Sequence, residues 1–305
     1  MKVFITGGSG LVGRYVSRML AAEGHRVTIL SRSPRVSPDL HPGISYLGGD
    51  PTEPGPWQER LAGHDAVINL AGAPIFRRWT ARYKRTILDS RVETTRNVVS
   101  ATAASPDRSL HLLNASAVGY YGFHGDETLD EENGSGDDFL ARVARDWEAT
   151  AGKAADAGAR VVLCRFGIVL GRGGGALATM VENFRRRPVA ALGSGRQWVS
   201  WVHLEDLSRI LLFLLERGEL RGAVNCVSPN PVRNRELTEL VARQLGRSVS
   251  RFPVPGFALR LVMGEFANAL LEGQRVLPRK LLEGGFAFEF PDLDNALKDL
   301  MRESA

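Results

Sequence analysis

A doubly wound α/β fold, with a parallel sheet and a smaller C-terminal lobe, is predicted by three observations. Short apolar runs recur with helical segments between them. The first strand-to-helix turn is built of glycine. Past residue 171 the alternation gives way to glycine-bounded loops and helices. At 305 residues the chain is long for one core, so the expected division is a nucleotide domain of residues 1–171 with 203–230, and a lobe of 172–202 with 231–305.

Residues 2–6 read as a short buried strand, followed by the turn Thr6-Gly7-Gly8-Ser9-Gly10-Leu11-Val12-Gly13. A helix over 11–22 puts Leu11, Tyr15, Met19 and Ala22 on one stripe. Glycine at such a turn permits positive φ, lets a pyrophosphate approach the backbone, and aims the unpaired N–H groups of the helix start at its charge. Gly7, Gly8, Ser9, Gly10, Leu11, Val12 and Gly13 are therefore the expected dinucleotide loop. The strand at 27–31 ends in Ser31-Arg32-Ser33, without the carboxylate that usually holds an NAD ribose. Arg32 can grip a 2′-phosphate, with Ser31 and Ser33 as further donors, so NADP is the expected cofactor.

Further strands are expected at 44–47, 66–70, 110–115 and 160–165. Ligands of parallel sheets lie beyond the carboxyl ends of the strands, which singles out Asp50, then Leu70-Ala71-Gly72, then Asn114 to Gly122. Helices are expected over 80–104 and 138–157, the second with Phe139, Val143, Trp147 and Ala151 on one stripe. Arg77-Arg78-Trp79, after the Ala71-Gly72 turn, suits a phosphate, carboxylate or planar ring; helix capping by Thr80 with solvated arginines is the alternative. In the lobe, a helix runs to Arg187, and the loop from Gly193 to Asp206 brings Arg196, Trp198 and His203 to a substrate wall. Residues 224–227 read as one more strand, and the remainder as mostly helical.

Composition excludes several classes. The chain is 44% hydrophobic and 24% charged, ordinary for a globular protein. No apolar run approaches the roughly 18 residues of a membrane span, and the chain opens on a strand, not a signal sequence, so a cytoplasmic protein without a membrane partner is expected. The net charge of +5 is carried almost wholly by arginine, and its densest run, Arg185-Arg186-Arg187, lies at a helix end with no interleaved aromatics, so nucleic acid is not an expected partner. Cys164 and Cys226 sit in apolar runs with no C-x-x-C spacing and read as buried thiols of a reducing compartment, with no metal site.

The G-x-x-G-x-x-G spacing of Gly7, Gly10 and Gly13 resembles the extended short-chain dehydrogenase/reductase family. The order of features over residues 1–230 resembles its NAD(P)-dependent epimerase/dehydratase branch. Ser116-Ala117-Val118-Gly119-Tyr120-Tyr121-Gly122, Asp146-Trp147-Glu148, Gly195-Arg196-Gln197-Trp198, Gln274-Arg275-Val276-Leu277-Pro278 and Gly285-Phe286 are similar to one atypical subgroup, called epimerase family proteins and sometimes labelled cell-division inhibitors. The resemblance implies a Rossmann-like domain with adenine near Asp50 and nicotinamide near Leu70, Ala71, Gly72 and Ser116. It also places Arg91 where the family commonly has an asparagine, at the cofactor or at an anionic substrate or reacting oxygen.

The family's tyrosine, activated by a lysine four residues on, is missing. None of Tyr15, Tyr46, Tyr83, Tyr120 and Tyr121 has a lysine at that spacing, and matching Glu148 to the acid that follows the pair puts Leu140 and Ala144 in its places. Ser116, Tyr120 and Tyr121 become the candidate catalytic residues, with His124 and His203 as other proton carriers. Ungapped counting back from Gly122 lands on Ala117, so a one-residue bulge is needed to bring Ser116 to the family's serine. Extended backbone would turn Tyr120 and Tyr121 to opposite faces. Two functions stay open: an NADP-dependent oxidoreductase or epimerase-like enzyme acting on a small molecule, anionic or neutral, or a non-catalytic NADPH-binding, redox-sensing protein. Either would be a monomer or homodimer.

Overall fold

The computed structural model describes residues 1–34, 40–103 and 110–302. Seven parallel strands form the central sheet, in the order Gly222–Cys226, Arg160–Phe166, His111–Ala117, Ala66–Asn69, Lys2–Thr6, Arg26–Ser31, Ile44–Gly48. The order reverses at Lys2–Thr6, which pairs with Arg26–Ser31 on one side and Ala66–Asn69 on the other. That reversal opens a crevice beyond the strand ends.

Side chains alternate across the sheet because strand residues point to opposite faces. Val3 and Ile5 join Ile29, Ile68, Leu113 and Val224 under the helices Leu11–Ala22 and Leu204–Glu216. Phe4, Leu30, Val67 and Leu112 pack the other way, against Val98 and Ala101 of the helix Ala81–Ala103 and Ala151 of Phe139–Gly152. A separate cluster holds the later residues together, with Leu177, Trp201, Leu237, Val241, Leu293 and Leu297 at its centre.

Two expectations are corrected. The first helix buries Gly13, Val16, Ser17, Leu20 and Ala21, not the Leu11, Tyr15, Met19, Ala22 stripe; Tyr15 is exposed. Gly13 has no hydrophobic signal, yet it is where the helix touches the glycine turn most closely. The expected 138–157 helix is α-helical over Phe139–Gly152 and tightens to a 3-10 turn over Lys153–Ala157. The 80–104 helix is seen over Ala81–Ala103, and its expected last residue lies outside the described residues. Among the described residues no helix is long and apolar enough to cross a membrane.

Candidate active site

The glycine turn is closely packed on both sides. Gly7 has φ +68°, and a Cβ there would lie 2.7 Å from the Leu70 carbonyl carbon; at Gly13 it would lie 2.5 Å from Gly7 O and Gly8 Cα. Only glycine lets the loop pass between the Leu70-Ala71 turn and the helix start. The helix beginning at Leu11 has no side-chain cap and no acid in its first turn. Its N–H groups and positive dipole end are therefore left to a negatively charged ligand, and the residues present fit a dinucleotide pyrophosphate.

At the neighbouring strand end Ser31 is buried while Arg32 and Ser33 are exposed. Ser31 Oγ accepts from the Ser33 N–H at 3.2 Å. Asp50 Oδ1 accepts from Thr52 N–H at 2.9 Å and Thr52 Oγ1 at 2.7 Å. Desolvation works to raise the Asp50 pKa, but these bonds and the Arg32 charge outweigh it and hold the carboxyl below its usual range.

Beneath the crevice runs a buried polar chain. Thr6 Oγ1 donates to Asn69 Oδ1 at 2.5 Å and accepts from the Ala71 N–H at 3.3 Å, which fixes the turn carrying Leu70, Ala71 and Gly72. Asn69 Nδ2 donates to Asn114 Oδ1 and Thr95 Oγ1, and Trp147 Nε1 also donates to Thr95 Oγ1. Next to it lies a stronger pair, in which Arg165 Nε and Nη2 each meet a Glu148 oxygen at 2.8 Å. Both residues are buried. Ser116 Oγ donates to Glu148 Oε1 at 2.6 Å, and Arg165 Nη1 donates to Tyr121 Oη at 2.9 Å. Desolvation acts to lower the Arg165 pKa, but Glu148 outweighs it, so the guanidinium is held more firmly charged than usual.

Above this floor a cleft of about 460 Å³ runs from Leu11 and Val12, past Leu70 and the 115–119 strand end, to Phe76, Phe123, Trp198 and Phe266. Its walls are mostly apolar. Leu140 and Ala144, in the places of the family's tyrosine and lysine, both line it. Arg91 lines it too, its Nη1 donating to Ala73 O at 3.2 Å and Ile87 O at 2.9 Å and its guanidinium carbon 5.2 Å from the Trp147 ring centre. Burial lowers the Arg91 pKa to about 10. The remaining ionisable residues on the lining are Asp138, whose Oδ1 caps the Phe139–Gly152 helix, and the exposed Glu272.

Of the other expected site residues, Ser116 and Trp198 border this cleft and the rest do not. The 111–117 strand pairs regularly with 160–166, Ser116 opposite Arg165 and Ala117 opposite Phe166, so there is no bulge within the strand, and the 3-10 turn Val118–Tyr121 separates it from Gly122. Ser116 lies on the cleft floor but is only 3% exposed, its proton directed to Glu148; Ala117 is the exposed residue. Tyr120 and Tyr121 lie in a 3-10 turn over Val118–Tyr121, not in extended backbone, and neither lines the cleft. Tyr121 is fully buried, donates to Asn225 Oδ1 at 2.8 Å, and has its pKa pushed up to about 12 by burial. Tyr120 packs its ring under the Arg165 guanidinium at 3.5 Å.

Trp79 is a core residue, packed between Phe139 and Phe266 with Nε1 donating to Ile75 O. Arg77 and Arg78 are exposed, Arg77 lying over the Tyr83 ring, and Thr80 Oγ1 accepts from the Tyr83 N–H. Capping, the alternative reading, accounts for that segment. His203 is 3% exposed and caps the Leu204–Glu216 helix, its Nδ1 accepting from the Glu205 N–H at 3.1 Å. His124 bridges Glu127 and Tyr121 O outside the cleft. Arg196 is exposed and absent from the lining, whereas Trp198 is part of it. Sequence reasoning gave no role to Phe76, Phe123, Phe266 and Arg165, which come from four distant segments. Glu148 entered only as an alignment landmark, and its position one residue after Trp147 on a buried face was the available signal.

Residues 3–226 match the family model described as the NAD dependent epimerase/dehydratase family, and residues 254–300 match a domain of unknown function. The chain is 40% identical to the Arabidopsis thaliana epimerase family protein SDR39U1 homolog, chloroplastic, over 99% of this chain and 87% of that protein. It is 36% identical to the Bacillus subtilis epimerase family protein YfhF, over 99% of both. The crystal structure of human epimerase family protein SDR39U1 (isoform2) with NADPH superposes with a TM-score of 0.84 at 34% identity, covering 99% of each chain. With the family model spanning most of the chain and full-length relatives above 30% identity, this protein belongs to the NAD dependent epimerase/dehydratase family of extended short-chain dehydrogenases.

Proposed function

We propose that the chain is an atypical NADPH-dependent oxidoreductase of its family, exchanging hydride with a small molecule in the apolar cleft. The observation that carries this is continuity: the cleft begins at Leu11 and Val12 on the pyrophosphate loop and reaches Leu140 and Ala144 without interruption. Leu11 and Val12 would hold the pyrophosphate end of a dinucleotide, and the lining from Leu70 to Ala144 would receive its nicotinamide. The human relative crystallised with NADPH, and Arg32 in place of a ribose-binding carboxylate, support the phosphorylated cofactor.

Bound NADPH supplies hydride at nicotinamide C4 to a carbon held about 3–3.5 Å away. The chain's own part is positioning and exclusion of water. Ile75, Phe76, Ile87 and Phe266 wall the space, and the Thr6–Asn69–Asn114 bonds fix the strand ends beneath it. Ser116 already donates its proton to a carboxylate held by Arg165, so it presents lone pairs rather than an acid. The proton that completes reduction then comes from water at the cleft mouth.

A second reading, an NADPH-binding protein without chemistry, is favoured by the same Leu140 and Ala144 lining and the tied Ser116 proton. Incubation with C4-deuterated NADPH and a broad carbonyl panel separates the two. Deuterium transfer to any acceptor is the expected result; tight cofactor binding with complete retention of label establishes the second reading. No calorimetric heat for either nicotinamide coenzyme with folded protein defeats both.

A further inference from the structure

Arg91 is tethered by one nitrogen and open along an edge. Nη1 is engaged by Ala73 O and Ile87 O, while Nε and Nη2 have no acceptor among the described residues. Neither atom is sealed in the interior. The titratable neighbour that acts on the guanidinium is Tyr83, and no carboxylate lies within ion-pair distance among the described residues. The Nε/Nη2 edge is the one by which Arg165 holds both oxygens of Glu148. Gly72 leaves room for the guanidinium, since a Cβ there would lie 3.1 Å from its central carbon.

A desolvated guanidinium with two parallel N–H donors on an apolar wall is complementary to a planar oxyanion. Around it the cleft offers Ile75, Ile87, Leu140, Val143 and Trp147, and few polar groups to satisfy hydroxyls. A ligand rich in hydroxyls would lose hydrogen bonds to water on entry without replacing them.

We infer that the cleft takes a largely apolar substrate bearing one carboxylate, and that the carboxylate docks bidentately on the Nε/Nη2 edge of Arg91. This rests on the cleft being the substrate site of the proposed NADPH-dependent protein, and Arg91 sets specificity there.

Calorimetric titrations with 2-naphthoate, its neutral isostere 2-naphthamide, and UDP-glucuronate, a carboxylate that is polar elsewhere, test it with and without NADPH. The full-length protein is expected to bind naphthoate on the order of 10- to 100-fold more tightly than naphthamide, and UDP-glucuronate more weakly than naphthoate. In Arg91→Met the naphthoate preference disappears, while Arg91→Lys, which keeps charge without the paired edge, retains only part of it. NADPH affinity, measured separately, changes less than about threefold in Arg91→Met by the same reasoning that assigns the edge to substrate. Equal binding of acid and amide by the unmodified protein overturns the inference without any variant. So does a loss of NADPH affinity in Arg91→Met that matches the loss of naphthoate, which would give the edge to the cofactor. Failure of the unmodified protein to bind NADPH sinks the functional proposal instead, while the naphthoate measurements without cofactor still decide the role of Arg91.

Discussion

Arg165, buried beneath the cleft, and Arg91, on its lining, carry the same guanidinium and opposite meanings. Both have an aromatic neighbour, Tyr120 for the first and Trp147 for the second. Arg165 has its Nε/Nη2 edge filled by Glu148 and its Nη1 on Tyr121, so its charge is matched inside the protein. Arg91 has backbone carbonyls on Nη1 and nothing on the other edge among the described residues. A buried cation with a carboxylate is part of the architecture; one without is a place for something else to bind.

The comparison breaks most visibly at Glu148. Glu148→Gln leaves Arg165 with a neutral partner and Ser116 without its carboxylate acceptor, and should cost about 3–5 kcal/mol, read as a melting temperature lower by about 10 °C. An unchanged melting temperature would mean that the pair is dispensable and the contrast with Arg91 empty. A cationic group set for a ligand should instead act on binding, and Arg32 is the outer example. Arg32→Ala is expected to weaken NADPH by about 2 kcal/mol relative to NADH in calorimetry, and equal weakening of both would refute the 2′-phosphate assignment.

His203 sharpens the contrast from a third direction, as a buried base that is needed neutral. Burial holds its pKa below the usual histidine value despite Asp299 nearby, and the neutral Nδ1 accepts the Glu205 N–H. With a depressed folded pKa, its contribution is present above about pH 6.5 and is lost as pH falls through the lower folded value. His203→Ala should therefore lower stability by about 1 kcal/mol at pH 7.5, with the gap narrowing at pH 5 and NADPH affinity unchanged. The smallest effect is expected at Arg91 itself: Arg91→Met should shift unfolding by less than about 1 kcal/mol, because no buried carboxylate is left behind. A loss as large as that of Glu148→Gln would show Arg91 to be architecture after all.

How far the sequence reached depends on the distance over which each feature is written. The strand ends carrying Gly7, Asp50, Ala71 and Ser116 were readable because each is announced by its own apolar run. The first helix was placed correctly but turned the wrong way, since Leu11, Tyr15 and Met19 outweigh a stripe that includes Gly13 and Ser17. Trp79 carried the signal of an aromatic beside two arginines, and nothing local says that Phe139 and Phe266 will close over it. The Ser116–Glu148–Arg165 set joins residues 32 and 17 positions apart, and becomes visible only when the helix Phe139–Gly152 is laid on its strands. For Tyr120 and Tyr121 the reason is local: the opposite-face reading holds for extended backbone, and the chain here tightens into a 3-10 turn.

The strand Gly222–Cys226 is one edge of the sheet, paired among the described residues with Arg160–Phe166 alone, and its outer side is guarded by Glu131, which accepts from the Asn225 N–H, and by Lys280, which donates to Ala223 O. Before this strand is made, Arg160–Phe166 would be the edge, with neither a partner strand nor those guarding side chains on that side. Messages truncated before this strand would yield chains with an open backbone ladder, ready to join another copy edge to edge.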